Sequence, residues 1–258
     1  MISWSQEGGV AELVLDQAPC NEIGRGMLAA LEGFLDAFDP TDAAALIVRS
    51  AQPAGFSAGA DLRELFREID GRDPAEWTAD LRDFLDRIHA VMTRLDQLPL
   101  TTVGVVHGVC FGGGFELALT CDVRIVEKSA RFAFPELRLG IIPGFGGIPR
   151  LARDVGNAVV RDLLLTGRSI NAKKAVEVGL ASQMVPRGRG VDVARGLAQQ
   201  STKYDGEARR ACKAFMKPHP AAELAHEKEE FLRLFQRPAV IDALKKFSLS
   251  KDVRPYLA

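Results

Sequence analysis

The 258-residue sequence contains no pair of cysteines at C-x-x-C spacing; Cys20, Cys110, Cys121 and Cys212 lie far apart. This pattern argues against a disulfide framework or a cysteine metal knuckle. It fits reduced thiols, mostly small buried hydrophobes, in a cytoplasmic protein. Histidine is equally sparse, with four residues and no H-x-x-x-H spacing, so no structural or catalytic metal is expected. Basic residues form no long block and the formal net charge is -1, which points away from nucleic-acid and anionic-membrane partners. No apolar run approaches the length that crosses a bilayer. The opening segment, Met1 to Glu7, lacks the basic-then-apolar order of a signal peptide.

What remains is an ordinary globular composition, 47% hydrophobic and 26% charged, in a chain long enough to bury a substantial core. Alternation before and after Gly8-Gly9 predicts an opening hairpin that ends at Leu15. Met27, Leu28, Leu31, Leu35 and Phe38 recur at helical spacing. Ala45 to Val48 reads as a buried strand, followed by a loop from Ser50 to Gly59. Asp61 to Asp73 reads as a charged surface helix or loop. Leu81, Leu85, Ile88, Met92 and Leu95 mark a long helix. Strands are predicted at 102–106, 123–126, 132–134 and 183–185, and a short helix at 115–120. Asn171 and Gly179 suit the two ends of a helix between them. After Pro186 to Gly190 only helical periodicity is visible. The expected organisation is an α/β core over residues 1–190 and a helical C-terminal region over 191–258.

Two glycine-containing loops follow predicted strands: Phe56-Ser57-Ala58-Gly59-Ala60-Asp61, and His107 to Glu116 with Gly112-Gly113-Gly114 at its centre. Absent side chains let a backbone approach a ligand closely. The second loop opens a helix, whose first N–H groups lack intrahelical partners and suit an anion. It has no G-K-[ST] and does not fit G-x-G-x-x-G, so a nucleotide phosphate loop is disfavoured. Glu116 and Glu136 stand beside these loops between apolar neighbours. A carboxylate in such company is paired, exposed or functional.

Three segments, in order, carry a resemblance. They are Ala58-Gly59-Ala60-Asp61-Leu62, Gly112-Gly113-Gly114-x-Glu116-Leu117-Ala118-Leu119-x-Cys121-Asp122, and Phe134-Pro135-Glu136-Leu137-x-Leu139-Gly140-Ile141-Ile142-Pro143-Gly144. Together with Asn21, Arg150-Leu151, Thr166-Gly167, Ala175 and Gly179-Leu180, the sequence resembles the crotonase (enoyl-CoA hydratase/isomerase) superfamily over nearly its whole length. The resemblance implies a ββα spiral core with a C-terminal helical trimerisation region, hence a homotrimer or homohexamer. It implies an acyl-CoA substrate, with coenzyme A arriving as part of that substrate and no separate cofactor.

The same resemblance places the backbone N–H groups of Ala58 and Gly113 at an oxyanion hole for the thioester carbonyl. It places Ala58, Gly59, Ala60, Asp61 and Leu62 along the CoA arm, and makes Glu116 and Glu136 the catalytic carboxylates. The Gly144 N–H would hold a water or a glutamate. Two departures from the family pattern stand out: Ile148-Pro149 where many hydratases have Thr-Gln, and Phe247-Ser248-Leu249-Ser250-Lys251 where a Lys-Arg run is usual. Phe111, Phe115, Phe134 and Phe145 could narrow the acyl pocket or pack in the core. The expected activity is syn addition of water to a trans-2-enoyl-CoA, or the reverse dehydration. Enoyl-CoA isomerisation, acyl-CoA decarboxylation and non-catalytic binding of an acyl thioester are the alternatives.

Overall fold

A computed structural model describes residues 1–250; Lys251, the end of the departing tail motif, lies outside the described residues. The chain opens with strands β1 (Ile2–Glu7) and β2 (Val10–Leu15), an antiparallel hairpin across Gly8-Gly9. Helix α1 (Arg25–Ala37) buries Met27, Leu28, Leu31, Phe34 and Leu35 on one face. Each such side chain taken fully out of water stabilises the fold by roughly 1.5–3 kcal/mol. Then come β3 (Ala45–Ser50), β4 (Gly55–Ser57), α2 (Leu62–Ile69) and α3 (Pro74–Asp96). The next turn of chain supplies β5 (Thr101–Val106), β6 (Val109–Phe111) and α4 (Gly113–Ala118). It is followed by β7 (Val123–Glu127), β8 (Arg131–Ala133) and a 3-10 turn at Glu136–Leu139. Helices α5 (Gly147–Val155) and α6 (Asn157–Thr166), β9 (Ile170–Asn171), α7 (Ala172–Glu177) and β10 (Gln183–Val185) complete the mixed part. Four helices close it: α8 (Gly190–Ser201), α9 (Gly206–Met216), α10 (Ala221–Phe235) and α11 (Pro238–Leu249).

The strands form two sheets, ordered β1-β2-β3-β5-β7-β10 and β4-β6-β8-β9. Each pass of the chain lays one strand in the first sheet and the next in the second: β3 then β4, β5 then β6, β7 then β8. Apart from β1 and β9 the pairings are parallel. A parallel sheet is stable with both faces covered. Along β3 the side chains of Leu46 and Val48 enter the large core, whereas Ala45 and Ile47 meet a second cluster. Ala194 and Ala198 of α8 close that second cluster, small side chains one turn apart that let the helix sit near the strands. Helices α8, α10 and α11 thus cover the chain's own core. Among the described residues no helix is long and apolar enough to cross a membrane.

Several elements differ from the sequence expectation for local reasons. β4 and β6 lie inside segments whose glycines read as loop; each is only three residues long and is held by pairing with its neighbours. α2 is a regular helix because Asp61 caps it, its Oδ1 accepting from the Glu64 N–H at 2.8 Å, and because Leu62, Phe66 and Ile69 are buried. α3 begins well before Leu81, since Asp73 caps it and Pro74 occupies its first turn, where a missing N–H costs nothing. Asn171 does cap α7, accepting from the Lys174 N–H at 2.9 Å.

Candidate active site

The stacking of the two sheets brings the ends of β4, β6 and β8 together. From them issue the Ala58–Asp61 loop, helix α4 and the Glu136 turn. Gly112 makes the step from β6 into α4 at φ 49°, and a Cβ there would lie 2.5 Å from Glu136 Oε1. Only glycine satisfies both conditions. The result is a cleft of about 940 Å³, counting its open mouth. Ala58, Gly59, Ala60, Asp61, Leu62, Gly113, Glu116, Glu136 and Gly144, all singled out in the sequence, line it together.

The backbone amides of the first loop differ in what they do. Ala58 N–H donates to the Cys20 carbonyl at 2.8 Å, Gly59 to Ser57 Oγ at 3.2 Å, and Asp61 to the Ile23 carbonyl at 3.1 Å. Leu62 N–H turns back to the Ala60 carbonyl at 2.9 Å. Among the described residues the Ala60 N–H alone in this loop has no acceptor. The expectation that Ala58 supplies an oxyanion donor is therefore corrected: its hydrogen is already engaged in holding the loop to the Cys20 segment. Gly113, the first residue of α4, also keeps an unpartnered N–H, as helix starts do. The two free amides are neighbours, since a Cβ on Gly113 would sit 3.4 Å from the Ala60 nitrogen.

Glu116 is 2% exposed and its Oε1 accepts from the N–H groups of Phe145 and Gly147, both at 2.7 Å. Burial pushes its carboxyl up to about 7, although those two amides, the Arg150 charge and the Gly144 amide pull the other way. Glu136 differs. Its Oε2 is buried with no hydrogen-bond partner. Burial, then the charge of Glu116, hold its carboxyl well above the usual carboxylate range. Both carboxyls therefore hold a proton to higher pH than an ordinary glutamate. His89 of α3 hydrogen-bonds the Gly144 carbonyl through Nε2 at 2.8 Å, and burial lowers its pKa to about 4, so the ring is neutral there.

Apolar side chains also line the cleft, among them Leu65, Trp77, Leu81, Phe84, Phe145 and Phe231. Of the four phenylalanines near the motifs, only Phe145 reaches the cleft. Phe115 and Phe134 stack on each other with ring centroids 4.6 Å apart, deep in the core, and Phe111 is buried outside the lining. The aromatic character comes instead from α3 and α10, where Trp77, Phe84 and Phe231 face inward. Ile148, in place of the more usual Thr, donates its N–H to Glu227 Oε2 at 2.8 Å. Glu227 itself, buried on α10, is not indicated by any motif. A signal exists: it interrupts the apolar stripe of Leu224, Phe231 and Phe235 with a charge.

The sequence profile described as enoyl-CoA hydratase/isomerase matches residues 5–248. The chain belongs to this family. A probable enoyl-CoA hydratase of Bacillus subtilis (strain 168) is 35% identical over 181 residues, 70% of this chain and 67% of that protein. An enoyl-CoA isomerase/hydratase of Mycosarcoma maydis is 35% identical over 228 residues, 84% of this chain and 80% of that protein. The crystal structure of an enoyl-CoA hydratase from Bacillus halodurans superposes with a TM-score of 0.85, covering 95% of this chain and 99% of that one; at 24% identity it shows the shared fold. Membership in the enoyl-CoA hydratase/isomerase family gives the cleft its context. The motif residues of this hydratase/isomerase chain converge in space on one cleft, and Glu227 holds the loop beside it.

Proposed function

We propose that the protein is a 2-enoyl-CoA hydratase acting on apolar trans-2-enoyl thioesters. One observation carries this reading: two buried carboxyl groups, Glu116 held by two amides and Glu136 with an unpartnered oxygen, face one cleft beside two backbone amides with no acceptor. The thioester oxygen fits between the Ala60 and Gly113 N–H groups, which gain most as that oxygen becomes an enolate. Each such donor is worth about 3–4 kcal/mol of transition-state stabilisation in comparable sites. Glu116, ionised, takes a proton from the attacking water as its oxygen bonds to the β-carbon. Glu136, protonated, delivers a proton to the α-carbon on the same face. The net change is addition of H and OH, with one proton exchanged between the glutamates and solvent on reset. The Gly144 amide steadies the Glu116 end. Ala58 to Leu62 would guide the CoA arm, and Trp77, Phe84 and Phe231 would receive the acyl chain.

Incubation with crotonyl-CoA tests the reading through loss of the enoyl absorbance. An isomerase would leave crotonyl-CoA untouched and convert a 3-enoyl-CoA into an absorbing 2-enoyl product. That second reading needs only one glutamate, and one relative's name includes it.

We also propose a homotrimer or homohexamer. Helix α9 buries none of its residues, and Phe215 and Met216 at its end are 90% and 72% exposed. Light scattering coupled to size exclusion should find no monomer; a stable monomer would refute this assembly.

A further inference from the structure

Four successive amides are divided alternately between two buried glutamates. Phe145 and Gly147 donate to Glu116 from α4. Gly146 donates to Glu227 Oε1 at 2.7 Å and Ile148 to Glu227 Oε2 at 2.8 Å. Glu227 is 4% exposed and lies behind the loop, away from the cleft lining. It shares one face of α10 with Leu224 and Phe231, and that face is pressed onto the loop. A Cβ on Gly146 would come within 2.6 Å of Leu224, and one on Gly144 within 2.5 Å of Phe231. If α10 only had to cover the loop, an apolar side chain at 227 would do so without desolvating a second acid beside Glu116. The use of a carboxylate, both oxygens occupied, points to a task in fixing the loop and its charge.

We propose that Glu227 is a positioning residue of the active site: it clamps residues 146 and 148 so that amides 145 and 147 hold the Glu116 carboxylate at the cleft. The catalytic base is thereby set from the C-terminal helices, and the site is complete only when α10 is docked. The groups facing Glu227 are Glu116 from α4, Arg150 from α5 and Glu136 from the 3-10 turn, with neutral His89 from α3 bonded to the same loop. Burial and the Glu116 charge raise the Glu227 carboxyl as well; once ionised, it adds to the burial and the Glu116 charge that raise Glu136. The inference rests on the hydratase reading for its kinetic test but not for its second readout.

The experiment compares wild type, Glu227→Gln and Glu227→Asp. The amide of Gln cannot accept at both positions and carries no charge. We expect kcat for crotonyl-CoA to fall about tenfold to a hundredfold, as when a group supporting a catalytic ligand is lost, with KM changed much less. The alkaline limb of the kcat profile should move to lower pH. Asp keeps the charge but is too short to reach both amides, so kcat should fall while that limb stays in place. Unchanged kcat in folded Glu227→Gln, or a loss with an unmoved pH profile, overturns the proposal. Failure of both variants to fold overturns it as well, because the residue would then serve folding alone. If the wild type does not hydrate crotonyl-CoA, the hydratase reading fails separately. Infrared titration of the buried protonated carboxyl, assigned by its loss in Glu136→Gln, then decides: deprotonation at lower pH in Glu227→Gln supports the clamp, and an unmoved titration sinks it.

Discussion

Asp96 and Asp122 are surrounded by Arg153, Lys213 and Lys217, whereas Glu116 and Glu227 share Arg150 and Glu136 meets the charges of those two acids. In the first cluster Arg153 meets Asp96 at 2.8 Å, Lys217 reaches Asp96 at 3.1 Å and Asp122 at 2.8 Å, and Lys213 reaches Asp122 at 2.8 Å. Burial would raise both aspartates, but these cations more than offset it, and both titrate below the ordinary range. In the second cluster Arg150 acts on two of the three acids, burial dominates, and all three titrate above the ordinary range. The two clusters touch at Arg150, whose Nε lies 3.7 Å from Asp96 and whose Nη1 holds the Phe145 and Gly146 carbonyls. Where cations match the acids, the carboxyls release their protons early; where they do not, burial makes the carboxyls retain them.

The largest expected effect breaks the unbalanced cluster. Glu116→Gln and Glu136→Gln should each lower kcat by about a thousandfold or more, near the upper range for a lost acid or base. The double variant should be little worse than the poorer single one, because the two act on one event. Steady-state hydration of crotonyl-CoA measures this, with circular dichroism to confirm folding. A variant that keeps more than about a tenth of the activity would remove its glutamate from the mechanism.

The next effect breaks the balanced cluster. Asp96→Asn removes the buried carboxylate shared by Arg153 and Lys217, leaving them Asp154 and Asp122, and should cost about 3 kcal/mol of stability in urea unfolding. Turnover per folded molecule should change by no more than about threefold, since Arg150 keeps its bonds to the loop carbonyls. If kcat instead collapses as in the glutamate variants, the two clusters are one functional unit and the contrast fails.

Bulk in the oxyanion loop should act between these extremes. A Cβ on Gly113 would meet Phe145 at 2.6 Å and crowd the Ala60 amide. Gly113→Val should therefore lose turnover and some stability together, the second from overpacking by about 1–3 kcal/mol. Wild-type kinetics in this variant would take Gly113 out of the site.

The same contrast explains what could be read in advance. Motif order placed Glu116, Glu136, Gly113 and Gly144 correctly in one cleft, because those positions follow strands whose parallel stacking forces their ends together. Long periodic elements such as α1 and α3 were equally legible. The choice between Ala58 and Ala60 was not, because an N–H direction depends on which carbonyl, here that of Cys20, has already taken its neighbour. β4 and β6 carry too few side chains to show a period. Glu227 and Trp77 reach the site from helices distant in sequence, and only tertiary packing brings them there. Phe115 adjoins Glu116 and Phe134 precedes Glu136 by two residues, yet both rings pack in the core and neither lines the cleft.

The smallest expected effect concerns stability against pH, and it follows from the sign of the Glu136 shift. In the folded protein this carboxyl holds its proton to higher pH than in the unfolded chain, through burial and the Glu116 and Glu227 charges. Between the unfolded and folded values the native state binds the extra proton. The contribution of this group is therefore fully present below the unfolded carboxylate value and is lost as pH rises toward the folded one. Glu136→Gln removes the titration while keeping the shape. Its melting temperature should match that of the wild type near about pH 4 and exceed it near about pH 8, despite the loss of activity. Other groups titrate in both proteins, so the difference between the two curves isolates this one. Equal melting temperatures across the range would mean that Glu136 is already ionised at neutrality, and the division of acid and base between the two glutamates would then have to be reversed.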